Sequence, residues 1–240
     1  IKDHTAKRLG VEDGERLADK IYIKTLPDVY PIGDEIGLIY EATGRLVKPG
    51  KLPITQGIIV YNVETMYNLA RAVRFSEPVT EKWLTIGGAV KTPTVIKVPV
   101  GTKVADIFKR LGIEVKEGYS VIDGGPSMGK LINVSTYSVS KTTKGILILP
   151  DDSQSILSKR MNPKMAVARA ETACCQCTRC TDMCPRNLLG YPLEPHKMVR
   201  TAMGVVEAIP EMVISATLCC GCGVCEISCR FSGNTGVSVF

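Results

Sequence analysis

Cys174, Cys177, Cys180 and Cys184 stand in a C-x2-C-x2-C-x3-C run with Pro185 after the last, and Cys219, Cys222, Cys225 and Cys229 repeat the spacing 45 residues on. Thiolates so spaced are the ligand runs of [4Fe–4S] clusters, and two runs mean a two-cluster module. Two intervening residues let three sulfurs close around one cubane from a single turning segment, and the fourth must come from elsewhere. In two-cluster ferredoxins the fourth cysteine of each run serves the other cluster. Cluster I is thus assigned Cys174, Cys177, Cys180 and Cys229, and cluster II takes Cys219, Cys222, Cys225 and Cys184. Such a crossing ties distant stretches into one unit, whose folding should need the clusters.

Zinc would call for C-x2-C pairs with a longer gap between them, not a triad plus a fourth. A disulfide framework would call for a secreted chain, and no signal-peptide pattern is present. Cys175 and Cys220, each directly after the first ligand of its run, read as spare thiols packed near the cubanes, with a ligand swap as the alternative. Pro185 fits the ferredoxin signature, and Arg230 stands where a second proline would be.

The chain has 240 residues, 45% of them hydrophobic, room for more than one compact domain and no signature of general disorder. No apolar stretch has bilayer-spanning length. Ten cysteines in a cluster pattern point to a reducing, intracellular setting. The formal charge of +6 is offset by roughly −2 for each oxidised cluster with its thiolates, so a nucleic-acid partner is not expected. The chain opens on Ile1, without methionine, in a helix-like segment, and reads as a fragment of something longer.

Three segments must position the thiols, and together they give an α+β multidomain fold. Residues 1–76 read as part of an α/β domain, with strands at Ile21-Tyr22-Ile23 and Gly57-Ile58-Ile59-Val60-Tyr61. A turn holds Gly33, Asp34 and Glu35, and Gly37-Leu38-Ile39-Tyr40 reads as strand or helix start. Asn62 caps a helix with Val63, Met66, Leu69, Ala70 and Val73 on one face. Residues 77–150 run hairpin, helix, strands: Trp83–Val90 and Thr94–Pro99, a helix over Val104–Leu111 closed by Gly112, then strands at Val121–Asp123 and Gly145–Pro150. That is a ubiquitin-like β-grasp order, in which Trp83 is expected to be a buried anchor. Residues 151–240 carry the cysteines. A helical pattern over His196–Ala208 makes this a helical two-cluster [4Fe–4S] ferredoxin domain, and CCQCTRCTDMC against CCGCGVCEISC suggests internal duplication.

Several residues read most simply as structure. His4 is expected on the surface, and His196 should cap or pack. Met161, Met165, Met183 and Met198 are expected as core filler around the clusters. The loop Asp123-Gly124-Gly125-Pro126-Ser127-Met128-Gly129 lacks the strand-to-helix G-x-G-x-x-G form and reads as a tight turn, with partner contact as the lesser alternative.

The chain resembles the flavin- and iron–sulfur-containing electron-input subunits related to the complex I FMN subunit and to RnfC. The similarity lies in Leu26-Pro27-Asp28-Val29-Tyr30-Pro31-Ile32-Gly33-Asp34-Glu35, in Thr43-Gly44-Arg45 and in Asn62-Val63-Glu64-Thr65. Residues 77–150 are similar to the soluble-ligand-binding β-grasp (SLBB) domain of these proteins. Cys184-Pro185-Arg186-Asn187-Leu188-Leu189-Gly190 and Pro195-His196-Lys197-Met198-Val199-Arg200 point to the PduS-type cobalamin (corrin) reductases. The family's N-terminal glycine-rich loop does not occur before Tyr30.

The resemblance implies an oxidoreductase that passes electrons from NADH through FMN and two [4Fe–4S] clusters to cobalamin. FMN would belong to the full-length protein and be lined by Gly33, Asp34, Glu35 and Asn62; this fragment would hold an incomplete site. Taken without the resemblance, Asp34 and Glu35 read equally as a solvated turn and Asn62 as a cap. A cytoplasmic place inside a bacterial microcompartment is implied, with an adenosyltransferase or shell protein as partner. The alternatives are an RnfC-like input subunit of a membrane ion pump and a non-catalytic redox or docking module.

Overall fold

The computed structural model describes residues 16–18 and 21–229; the helix-like opening segment, His4 and Arg230 lie outside them. β1 (Arg16–Ala18) and β2 (Ile21–Tyr22) form an antiparallel ribbon. The chain then enters α1 (Glu35–Thr43), so Gly37–Tyr40 is helix. The Asp34 carboxylate accepts from the Gly37 N–H at 3.3 Å to start it, and Gly44, at φ 69°, ends it. Ile36 and Ile39 bury one face of α1 with Val47 and, from far along the chain, Tyr191.

Residues 57–61 are not the buried strand that their composition suggested. No ladder partner forms beside them among the described residues; Ile58 and Val60 lean half-buried on the Ile36–Tyr191 cluster, while Ile59 and Tyr61 are exposed. A strand needs a neighbour for its backbone groups as much as it needs apolar side chains. Asn62 does cap α2 (Val63–Phe75), accepting from the Glu64 N–H at 3.2 Å. The apolar face of α2 stays uncovered: Val63, Met66, Leu69 and Val73 are all exposed.

A five-stranded sheet follows, built from β3 (Glu81–Gly88), β4 (Thr94–Pro99), β5 (Tyr119–Asp123), β6 (Lys130–Leu131) and β7 (Gly145–Pro150) in the order β4-β3-β7-β5-β6. β3 and β7 are parallel, and every other pair is antiparallel. Leu84, Ile86, Ile146 and Ile148 from the two central strands are fully buried against Val104, Ile107 and Phe108 of α3 (Val104–Leu111). Strict alternation along β3 buries Lys82, Leu84 and Ile86 and turns Trp83 outward, 47% exposed. The expectation of a buried Trp83 is corrected by this parity.

Gly88 ends β3 at φ 82°, where an added Cβ would lie 2.1 Å from the Ile148 carbonyl oxygen. Gly88→Ala therefore combines left-handed backbone strain with a backbone clash that side-chain rotation cannot relieve. A loss of about 3 kcal/mol is expected, seen as an earlier urea midpoint of the sheet by Trp83 fluorescence.

The rest of the described chain is helical: α4 (Gln154–Arg160), α5 (Pro163–Ala173), α6 (Arg179–Asp182), α7 (Pro185–Leu188), α8 (Pro195–Ala202), α9 (Pro210–Ala216) and α10 (Val224–Ser228). Proline opens α5, α7, α8 and α9, where its missing N–H costs nothing. The helix expected to run to Ala208 stops at Ala202, two residues before Gly204 at φ 72°. Met198 is buried beside Cys184 and Leu193, but Met165 and Met183 are exposed and are not core. On α5 the buried side is Ala166 and Ala170, which leaves Met165 to solvent. Among the described residues no helix is long and apolar enough to cross a membrane.

Candidate iron–sulfur site

The two cysteine runs share a backbone path. Gln176 and Thr178 in the first adopt positive φ (55° and 60°), and Gly221 and Gly223, 45 positions on, do the same (65° and 76°). The left-handed residues flank the second cysteine of each run and bend the chain before α6 and α10, which carry the third. Left-handed backbone costs a non-glycine residue about 1–2 kcal/mol, so Gln176 and Thr178 are held there against their preference. This is the local origin of the curl: each run turns its first three sulfurs toward one centre.

The thiols line two cavities. Cys174, Cys177, Cys180 and Cys229 surround the first, with Cys175, Cys225 and His196 on its wall. Cys184, Cys219, Cys222 and Cys225 surround the second, together with Cys220 and Arg186. Cys225 borders both. The two cavities differ in burial: Cys184 and Cys222 are buried, whereas Cys174 and Cys177 are exposed. Among the described residues no three His, Cys, Asp or Glu side chains converge closely enough for a single metal ion.

Electrostatics agree with this geometry. Burial raises the Cys180 thiol, with Cys174 and Cys229 among the neighbours that add to the rise. Burial likewise raises Cys219, where Cys220 and Cys184 add and the Arg186 guanidinium opposes. Cys225 is pushed up to about 12, first by burial and then by Cys219, Cys184 and Cys180. Cys222 is raised by its hydrogen bond with Cys220, which is lowered by the same bond. The raised thiols, Cys180, Cys219, Cys222 and Cys225, must give up their protons to bind iron, so cluster loading releases protons. The donor set fits iron–sulfur clusters, which demand sulfur ligands converging from several directions.

The stretch before α1 packs directly on the second cavity. The Tyr30 hydroxyl donates to the Cys222 carbonyl at 2.7 Å. Asp34 pairs with Arg186 at 3.0 Å, and the Tyr191 hydroxyl donates to the Val47 carbonyl at 2.5 Å. Sequence reasoning quoted Tyr30 and Arg186 only within stretches of family resemblance and gave neither a role at the site. Arg186 had a signal, lying two residues beyond a ligand cysteine at the start of a proline-led turn; Tyr30 had none.

Of the residues proposed for flavin, Asp34 spends one oxygen on the α1 cap and the other on Arg186. Asn62 spends its carbonyl on the α2 cap, and Gly33 and Glu35 are exposed. None of the four lines either thiol cavity. His196 packs as anticipated: its Nδ1 lies 2.8 Å from the Thr181 hydroxyl.

A third cavity of about 650 Å³ lies between the 127–131 loop and α4, α5 and α8. It shares Ala170 and Val199 with the first thiol cavity, and Lys159 reaches across it to the Ser127 carbonyl at 2.8 Å. The loop thus contacts the cysteine-bearing part as well as closing a turn.

Residues 2–71 match the Nuo51 FMN-binding domain family, and residues 173–231 match a 4Fe-4S dicluster domain. The sequence is 42% identical over 210 residues to cobalamin reductase PduS of Salmonella typhimurium, covering 88% of this chain and 47% of that protein. Over most of its length the chain is similar to the PduS cobalamin reductases. PduS of Citrobacter freundii is also 42% identical, over 86% of this chain and 46% of that protein. A component of the Na(+)-translocating ferredoxin:NAD(+) oxidoreductase complex of Acetobacterium woodii is 31% identical over 75% of this chain and 41% of its own length. The chain spans about half the length of the PduS proteins it matches. FMN and [4Fe–4S] clusters are the cofactors that the two matched domains describe.

Proposed function

We propose that this chain is the cluster-bearing part of a PduS-type oxidoreductase, which carries electrons from NADH by way of FMN to cobalamin. The carrying observation is the crossed lining of the thiol cavities, each framed by three cysteines of one run and the fourth of the other. When bound, FMN accepts an electron pair and the clusters carry single electrons onward. The chain's own residues do the holding. Cys174, Cys177, Cys180 and Cys229 would ligate cluster I, and Cys219, Cys222, Cys225 and Cys184 cluster II. Gly33, Asp34, Glu35 and Asn62 remain the flavin-side candidates in the full-length protein, where further groups would have to complete the cradle.

The division into a partial FMN domain (1–76), an SLBB β-grasp domain (77–150) and a two-cluster ferredoxin domain (151–240) belongs to the same reading. The parallel β3–β7 pair at the centre of a hairpin-first sheet supports the middle assignment. A cytoplasmic, microcompartment-associated setting, with an adenosyltransferase or shell protein nearby, follows from the PduS resemblance.

The test is made on full-length protein purified anaerobically. NADH is expected to bleach flavin and cluster absorbance and to reduce cob(II)alamin faster than it reduces ferredoxin or a quinone. Preferential ferredoxin reduction would favour the RnfC-like reading, which the Acetobacterium woodii similarity keeps in play. No NADH-dependent bleaching would leave a docking or redox-sensing module.

A further inference from the structure

Arg186 is buried to nine-tenths. Its guanidinium presents five N–H donors in a rigid fork. Nη2 pairs with Asp34, and the Tyr191 ring centroid lies 5.5 Å from Cζ. Among the described residues Nε and Nη1 are buried with no hydrogen-bond partner. A charged donor left buried and unsatisfied is costly, so these two groups call for an acceptor that the described residues do not supply. Arg186 lines the cavity of Cys184, Cys219, Cys222 and Cys225. The ligand that belongs there is an anion rich in sulfur acceptors.

We propose that Arg186 is a positioning residue that sets the reduction potential of cluster II by placing its guanidinium charge, with a donor that Asp34 leaves unpaired, beside the sulfurs of that cluster. The proposal rests on the ligand assignment given above. Net charge and hydrogen bonds to sulfur are the protein's levers on the potential of such a cluster. One-electron reduction adds one negative charge, so a buried guanidinium stabilises the reduced form more than the oxidised one and raises the potential. Asp34 holds the fork in place through Nη2 and leaves Nε and Nη1 unpaired. Tyr30, four residues before Asp34, bonds the Cys222 backbone through its hydroxyl, so the segment leading into α1 braces cluster II from two directions. The duplication does not repeat this device: the position equivalent to Arg186 in the second run is Phe231.

The test is a dithionite potentiometric titration of anaerobic holoprotein followed by EPR, with iron counted in each sample. The cluster II signal is identified by its loss in Cys219→Ala. Arg186→Gln is expected to retain full iron and to shift the cluster II reduction equilibrium about tenfold toward the oxidised form, about 59 mV for one electron, with cluster I unmoved. Arg186→Lys, which keeps the charge but not the fork, should shift it less and in the same direction. An unchanged cluster II midpoint in Arg186→Gln at full iron would overturn the proposal. So would loss of cluster II in both variants, which would make Arg186 a structural prop. A wild-type count far below about eight irons would overturn the two-cluster reading instead.

Discussion

Replacing Cys184 with alanine is expected to abolish the cluster of the second cysteine run and to spare that of the run in which Cys184 itself stands. Cys184 is buried and lines the cavity of Cys219, Cys222 and Cys225, not that of Cys174, Cys177 and Cys180. Anaerobic Cys184→Ala should therefore fall from about eight irons to about four and keep one of two EPR signals. Cys229→Ala should remove the other signal. Cys175→Ala is the control, since Cys175 is exposed and a fifth sulfur on its cavity wall; it should leave iron unchanged. If Cys184→Ala and Cys174→Ala lose the same signal, each run holds its own cluster and the crossing is wrong.

The second large effect concerns the joint between α2 and the sheet. Lys82 is buried on β3 and ion-pairs with Glu64 in the first turn of α2, while the Trp83 N–H donates to the other carboxylate oxygen at 3.0 Å. Burial by itself would raise the Glu64 carboxyl, but the Lys82 and Trp83 hydrogen bonds outweigh it and hold the group below its ordinary value. Lys82→Met leaves that carboxylate desolvated and unpaired, and a loss of about 3–5 kcal/mol is expected. The readout is urea unfolding followed by Trp83, the single tryptophan of the chain. Lys82→Met with Glu64→Leu should recover most of the loss, because two apolar groups leave no charge stranded. A depressed carboxyl stabilises the fold above the usual carboxylate range and loses its contribution as pH falls through its folded value. Wild type should accordingly lose stability on acidification, and the double variant should lose less. A double variant as unstable as Lys82→Met would show that packing, not charge, holds this joint.

The cysteine spacing specified its own chemistry. C-x2-C-x2-C-x3-C sets how far apart sulfurs can stand on a turning chain, so the cofactor type was legible without coordinates and the crossed pairing could be stated as an expectation. The hairpin, α3 and four of the five strands of the sheet were also legible, since alternation and a glycine cap are local signals, whereas the short β6 was not. Failures came where a partner outside the segment decided the outcome. Residues 57–61 have strand composition but no neighbouring strand among the described residues. Trp83 looks like a core residue, yet its parity on β3 turns it outward. Local signals also said nothing of the cluster in which Ile36, Ile39 and Val47 meet Tyr191, which lies 144 positions beyond its hydrogen-bond partner Val47.

The sequence by itself determined the iron–sulfur chemistry, because ligand type and spacing are covalent properties of the chain. Only the tertiary structure decided that Asp34 meets Arg186, that Tyr30 bonds beside Cys222, and that Cys184 and Cys222 are buried while Cys174 and Cys177 are exposed. The first two are contacts across 152 and 192 positions, and no local pattern encodes which buried charge finds which partner once apolar faces have closed.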